Sequence, residues 1–207
     1  MAVQRCQSNK AKRMQFSAPL GSPVGLHLLS VPMPKAGTRD DTRLRIRTAL
    51  KARLRELLGD CGVDALLRSM PGQAVCLGAP FAHIGLSISH EPGLSVAAIN
   101  LAGPVGIDLM CLHAALPDMA TLAIDYLGPA VCDAIQQHPT NGRTEVFARA
   151  WTAHEACLKC LHLPLVEWTP ELAKKLATCR WMAIETAPGV VASVAICRSE
   201  AFGAGAL

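Results

Sequence analysis

Residues 105–110, VGIDLM, alternate as a strand would: Val105, Ile107 and Leu109 share one face, and Gly106, Asp108 and Met110 the other. An aspartate inside a buried strand is costly unless it is paired or bound to a cation. Two readings stay open: Asp108 caps a turn or pairs with an arginine, or it ligates a metal. Further on, Trp151, Glu155 and Lys159 fall at i, i+4 and i+8 of a helical segment and stack on one stripe. Glu155 is placed to meet Asp108 at a metal, and Lys159, one turn later, to hold a phosphate as a point charge. The plainer alternative is a surface Glu–Lys pair contributing ~0.2–0.5 kcal/mol. Ser87-Ile88-Ser89-His90 ends a strand and enters a tight turn. A histidine there donates to a phosphate or stands idle in solvent. Cys157 and Cys160 form a C-x-x-C pair with His162 nearby. A zinc site needs a second ligand pair, and these two cysteines sit inside a predicted helix, so they read first as small buried hydrophobes.

The elements that must position these residues are set by pattern and punctuation. A first strand spans 24–32. The loop KAGTRDD ends in an N-cap signal, and a helix spans 42–58, with Leu44, Leu50, Leu54, Leu57 and Leu58 as its apolar face and Gly59 closing it. A short helix fits 62–70, then a Gly/Pro-rich loop spans 71–80. Strands at 85–89, 95–100 and 105–110 are separated by Pro92-Gly93 and Gly103-Pro104 turns. Helices are expected at 117–126, 129–137, 143–161 and 170–178, and final strands at 180–186 and 190–197. The order gives an α+β protein with two comparable halves.

Composition sets the bounds. The 207 residues are 51% hydrophobic and 17% charged, enough to bury a core and the opposite of a disordered chain. Aromatics make up only 4%, so that core is built from Leu, Val, Ile, Ala and Met. A net charge of +4 suits an acidic partner or a phosphate-rich ligand without being a polycation. The arginine-rich helix has no interleaved aromatics, which leaves nucleic acid as a minor alternative. Nine scattered cysteines, an odd count, indicate reduced thiols and a cytoplasmic setting. No apolar run reaches the ~18–20 residues of a membrane span. Residues 1–14 carry Arg5, Lys10, Lys12 and Arg13 with no acid, and Pro19, Gly21 and Pro23 interrupt the chain just after them. This stretch reads as a flexible basic tail, or as a start placed too early, rather than a signal peptide.

Taken in order, three blocks resemble a known family: SISHEPGLSVAAI, then VGIDLM, then FARAWTAHEACLKCL. They are similar to the S-x-S-H, G-[IV]-D-[IL] and W-[TA]-x-[KH]-E-A-x-x-K motifs of the Sfp-type branch of the 4′-phosphopantetheinyl transferase superfamily. The resemblance implies a holo-carrier-protein synthase type of enzyme. Its fold would be two similar α/β subdomains about a pseudo-twofold axis, here 15–103 and 104–200, with a loose tail at 201–207 and coenzyme A in the cleft between the halves. It implies Mg²⁺ on Asp108 and Glu155, the 3′-phosphate of coenzyme A at His90 and Ser89, its pyrophosphate at Lys159, and outer phosphate contacts from Arg45 and Arg47. Glu155 would be the general base. The partner would be an acidic acyl, peptidyl or aryl carrier protein, with no role for nucleic acid or membrane, and the enzyme would be a monomer.

The chain departs from the family pattern in places. Met110 stands where many members have a second carboxylate, as it does in some broad-specificity members, and a thioether is a poor Mg²⁺ ligand. His154 replaces a lysine before the glutamate, and His162 replaces a glycine after the helix. Ala130 and Val131 stand near a position that is often acidic, and the loop before the S-x-S-H strand offers only Gln73, Cys76 and His83 where a basic residue is common. These departures keep open a second reading, a weak paralogue that binds coenzyme A or a carrier protein with little turnover.

Overall fold

The computed structural model describes residues 21–34, 38–59, 62–68, 74–112 and 118–197. The expected tails at 1–14 and 201–207 lie outside the described residues, as do 113–117 between the sixth strand and the next helix. In chain order the elements are β1 (Leu26–Pro32), α1 (Arg39–Leu58), α2 (Val63–Leu66), β2 (Leu67–Arg68), β3 (Cys76–Leu77), β4 (Gly85–Glu91), β5 (Leu94–Asn100), β6 (Val105–Cys111), α3 (Met119–Leu122), α4 (Pro129–Gln137), α5 (Arg143–Cys160), α6 (Pro170–Leu176), β7 (Cys179–Ile184) and β8 (Val190–Cys197).

The N-cap signal read in KAGTRDD holds. Thr38 Oγ1 accepts from Asp41 N at 3.1 Å, and Asp41 Oδ2 accepts from Thr38 N at 3.2 Å, a reciprocal capping box that starts α1 three residues earlier than the apolar pattern alone indicates. The buried face of α1 is also rotated from the one read in the sequence. Ile46, Leu50 and Leu54 are fully buried, whereas Leu44 is 65% exposed. The expected helix over 62–70 shrinks to the single turn of α2, because Leu67 and Arg68 pair instead with Leu77 and Cys76. The expected helix at 117–126 becomes the short α3 running into a π-helical turn, Ala123–Leu127. A two-residue ladder and a π turn leave no periodic signal in a sequence.

Two three-stranded antiparallel sheets form the frame, in the orders β1-β5-β4 and β6-β8-β7. In each, the first strand in the chain lies at one edge, the last in the middle, and a long helix connects the first strand to the second. The two halves are therefore βαββ units of the same strand order. α1 covers one face of the first sheet, burying Ile46, Leu50 and Leu54 against Ile84, Leu86, Ala97 and Ile99. The opposite face brings Leu26, Leu28, Val96 and Ala98 into a shared core with Val105, Ile107, Leu109 and Val194 of the second sheet. α5 lies on the other face of that second sheet, over Ala195 and Cys179. Where the two sheets meet, Ser87 Oγ of β4 accepts from Ile107 N of β6 at 3.0 Å, satisfying a backbone donor on an edge strand with a side chain of the other sheet.

α5 sits very close to β6, and Gly106 makes this possible. A Cβ at that position would come within 1.9 Å of Ala156 O. Gly106→Ala must push the helix away from the strand, and the expected loss is about 2 kcal/mol or more in urea unfolding, typical of overpacking at a site that cannot relax. A loss under half that would mean that α5 is not held against β6. A second expectation concerns His27 of β1, which accepts from Arg53 Nη2 of α1 at Nδ1 (3.2 Å). Burial, then the charge of Arg53, holds its pKa below 6.5. The unfolded chain therefore takes up the proton first, so this contribution is full above pH 6.5 and is lost as pH falls below it. His27→Leu is expected to flatten the decline of the urea midpoint between pH 7.5 and pH 5.5.

Candidate active site

Asp108 occupies the middle of β6 on the face turned to α5, and is only 7% exposed. The cost of burying it is met locally. Lys159 Nζ lies 2.6 Å from Oδ1, and Ser89 Oγ of β4 donates to the same oxygen at 2.8 Å. The same ammonium also donates to Ile107 O at 3.3 Å and Ser89 Oγ at 3.4 Å. The arginine partner or turn cap that was one reading of Asp108 is replaced by a lysine from α5 and a serine from the other half of the chain. Lys159 thus turns inward to Asp108; the surface Glu–Lys pair is not what forms.

Glu155 sits one helical turn before Lys159, half-buried on the same stripe, and lines the same cavity of about 420 Å³ as Asp108, Ser89, His90 and Lys159. Burial is the first cause that raises its pKa. Lys159 partly opposes this, and the charge of Asp108 adds to it. One lysine therefore serves two neighbouring carboxylates. Glu91, two residues beyond Ser89 on the same face of β4, brings a third carboxylate to the cavity wall. The donor set is carboxylate oxygen, with Met110 the soft exception, which suits a hard divalent cation such as Mg²⁺. The indole of Trp151 lines the cavity too, stacked on Phe147 (centroids 5.5 Å apart) and edge-on to Tyr126 (5.8 Å).

His90 projects from the opposite face of β4, where its Nδ1 meets Ser95 Oγ at 2.8 Å. The residue is open at the rim, yet desolvation of the ring is the first cause that lowers its pKa. The charges of Arg43, Lys159, Arg39 and Arg47 come next, in that order. Arg39 and Arg43 continue, toward the N-terminus of α1, the stripe that Ile46, Leu50 and Leu54 bury, with Arg47 flanking it. Of the two arginines singled out in the sequence, Arg47 is thus brought toward His90, whereas Arg45 is exposed and acts on Asp41, away from the cavity. Sequence reasoning missed Arg39, Arg43 and Glu91. The signal for the arginines was their i, i+4, i+8 spacing with Arg47, which becomes readable once Ile46 replaces Leu44 on the buried face.

The two histidine substitutions have different outcomes. His154 does not line the cavity; burial lowers its pKa, and its Nε2 has no hydrogen-bond partner among the described residues. It brings no positive charge to the site near pH 7. His162 ends α5 in the left-handed conformation (φ 54°), with His162 N donating to Lys159 O and Leu163 N to Leu158 O. This is the Schellman geometry usually given to glycine, so the helix end keeps its ordinary shape.

A group of carboxylates beside converging lysine, histidine and arginine side chains is suited to a phosphorylated ligand. Residues 104–186 match the 4′-phosphopantetheinyl transferase superfamily. A stretch of 132 residues is 32% identical to the 4′-phosphopantetheinyl transferase HetI of Nostoc sp., covering 58% of this chain and 55% of that protein. The match thus spans little more than half the length of this curated relative. Asp108, Glu155 and Lys159 all lie inside the segment that is similar to the 4′-phosphopantetheinyl transferase superfamily.

The Asp108–Lys159 contact has a measurable signature. Lys159→Ala leaves Asp108 buried without its cation, and the expected destabilisation is about 2 kcal/mol, at the lower end for buried pairs because the lysine side chain keeps 31% exposure. Asp108→Asn combined with Lys159→Met should cost clearly less than the sum of the single changes. Additive losses in this cycle would show that the two groups are not coupled.

Proposed function

We propose that this protein is an Sfp-type, Mg²⁺-dependent 4′-phosphopantetheinyl transferase that moves the phosphopantetheine arm of coenzyme A to a serine of an apo acyl, peptidyl or aryl carrier protein, releasing 3′,5′-ADP. The observation that carries this reading is the convergence of Asp108, Glu155 and Lys159 on one cavity with Ser89 and His90 of the other half-chain. The two halves, 15–103 and 104–200, would be subdomains related by a pseudo-twofold axis; the like strand orders of the two sheets support this. Coenzyme A would then lie along their seam, with its 3′-phosphate at His90, Arg39 and Arg43 and its pyrophosphate at Lys159.

Asp108 and Glu155 would hold Mg²⁺, with Glu91 as an added oxygen where Met110 offers none. When bound, the ion neutralises pyrophosphate oxygens and lowers the barrier to their displacement. The serine oxygen of the carrier attacks the phosphorus that bears the pantetheine. A new P–O bond forms, the bond to the bridging oxygen breaks, and 3′,5′-ADP leaves with the electron pair. Lys159 fixes the phosphate, and Glu155, directly or through a bound water, accepts the serine proton. The net charge of +4 and the arginines of α1 favour an acidic carrier. We place the enzyme in the cytoplasm as a monomer, since the two halves together already enclose the cavity.

Incubation with coenzyme A, Mg²⁺ and a panel of apo carrier proteins, read by intact mass, is expected to add one phosphopantetheine to at least one carrier. Asp108→Ala and Glu155→Gln should each lower the rate about a hundredfold or more. Arg43→Ala should raise KM for coenzyme A about tenfold, the cost of one charge-assisted contact, while Arg45→Ala leaves it within about twofold. Coenzyme A binding without transfer would favour the weak paralogue, the reading that Met110 in the cavity wall supports. No binding at all would end both.

A further inference from the structure

The C-x-x-C pair of α5 acquires in the structure the second ligand pair that the sequence did not reveal. Cys157 and Cys160 are buried on the side of the helix that lies on the second sheet, in one cluster with Cys179. Cys179 begins β7 and Cys197 ends β8, and the two are direct cross-strand partners. Cys160 Sγ and Cys197 Sγ are 3.7 Å apart, and the sulfurs of Cys160, Cys179 and Cys197 all lie within 4.8 Å of one another. Cys157 lies in the same buried cluster, where its backbone carbonyl accepts from the thiol of Cys179 at 3.9 Å, which makes it the candidate for a fourth ligand. None of the four lines the carboxylate cavity.

Zinc held by thiolates has Zn–S bonds of about 2.3 Å in a tetrahedron, which puts neighbouring sulfurs about 3.8 Å apart. The Cys160–Cys197 edge already has that length, the other two edges among Cys160, Cys179 and Cys197 need to contract by about 1 Å or less, and the Cys157 side chain must turn toward them. A disulfide instead requires two sulfurs at about 2.05 Å, and the Cys160–Cys197 separation of 3.7 Å is far longer. A donor set of soft sulfur alone selects zinc over magnesium or calcium. Cys197 is only half-buried, so an ion has a route in from its side.

We propose that Cys157, Cys160, Cys179 and Cys197 form a structural thiolate site for one Zn²⁺, tying the end of α5 to the β7 and β8 strands. Each thiol that ligates releases its proton to solvent, so uptake of one ion frees up to four protons, and acid opposes binding. The site would clamp the helix that carries Glu155 and Lys159, and it does not depend on what reaction that helix serves.

The test uses the full-length protein, reduced, stripped with a chelator and titrated with Co²⁺. The expected result is one equivalent bound, with sulfur-to-cobalt charge-transfer absorption and the intense visible bands of a tetrahedral site, displaced stoichiometrically by Zn²⁺. Four of the nine cysteines should become resistant to a thiol reagent when Zn²⁺ is present. The spectrum should persist in Glu155→Gln and vanish in Cys160→Ala and Cys197→Ala, with folding checked by circular dichroism. Because the wild-type titration stands alone, a variant that fails to fold does not rescue the proposal. A pale octahedral spectrum without charge transfer, or no Co²⁺ bound, overturns it. A Cys179–Cys197 disulfide that forms in air, with no metal taken up after reduction, also overturns it, in favour of a redox pair.

Discussion

A carboxylate buried in a strand must find compensation nearby, and the compensation of Asp108 draws the centre of this molecule together. Lys159 comes from α5, Ser89 from the other sheet, and both contact one carboxylate oxygen. Ser87, on the same face of β4, supports the arrangement by capping the backbone of β6. The two halves are thus joined by a buried polar contact as well as by the apolar core between their sheets. Such contacts, once fully satisfied, select a single relative placement of the elements that make them. Helical geometry then places Glu155, since a residue one turn before Lys159 on the same face must lie beside Asp108. The strain that remains is electrostatic: two carboxylates compete for one lysine, and burial makes Glu155 hold its proton more readily. A divalent cation would relieve that conflict, so structural and chemical requirements converge on the same few atoms.

The arginines of α1 show how one helix serves both packing and recognition. Its lower turns bury Ile46, Leu50 and Leu54 against the first sheet. Continued upward, the same stripe passes beyond the apolar surface, and there the side chains become Arg43 and Arg39, whose charges act on His90. The capping box at Thr38 secures that end, so these arginines project from an anchored helix rather than a frayed one. The inward stripe of the helix is therefore apolar where it meets the sheet and basic beyond it.

Much of the site was legible in the sequence because it depends on local periodicity. Alternation along 105–110 separates Asp108 from its apolar neighbours, and helical spacing aligns Glu155 with Lys159. Ser89 and His90 are adjacent in the chain yet serve opposite faces of β4, which alternation also implies. The features that escaped were non-local or depended on register. Taking Leu44 as a core residue rotated the apparent face of α1 and favoured Arg45 over Arg39 and Arg43, although Leu44 is mostly exposed. Glu91 has no signal of its own, since only the fold shows that the end of β4 borders the cavity. The two-residue ladder between β2 and β3 was likewise hidden. Cys179 and Cys197 could not be joined to the C-x-x-C pair until the antiparallel pairing of β7 with β8 brought them beside α5.

The central claim is that one seam between the two halves holds both a divalent cation and a phosphorylated ligand, and a crystal structure of the protein grown with coenzyme A and Mg²⁺ tests it most directly. The predicted result is an ion bridging Asp108 and Glu155, pyrophosphate oxygens in its shell and at Lys159, and the 3′-phosphate among His90, Arg39 and Arg43. Coenzyme A bound elsewhere, or lying in the cavity with the Asp108–Lys159 pair undisturbed and no ion between the carboxylates, would contradict it.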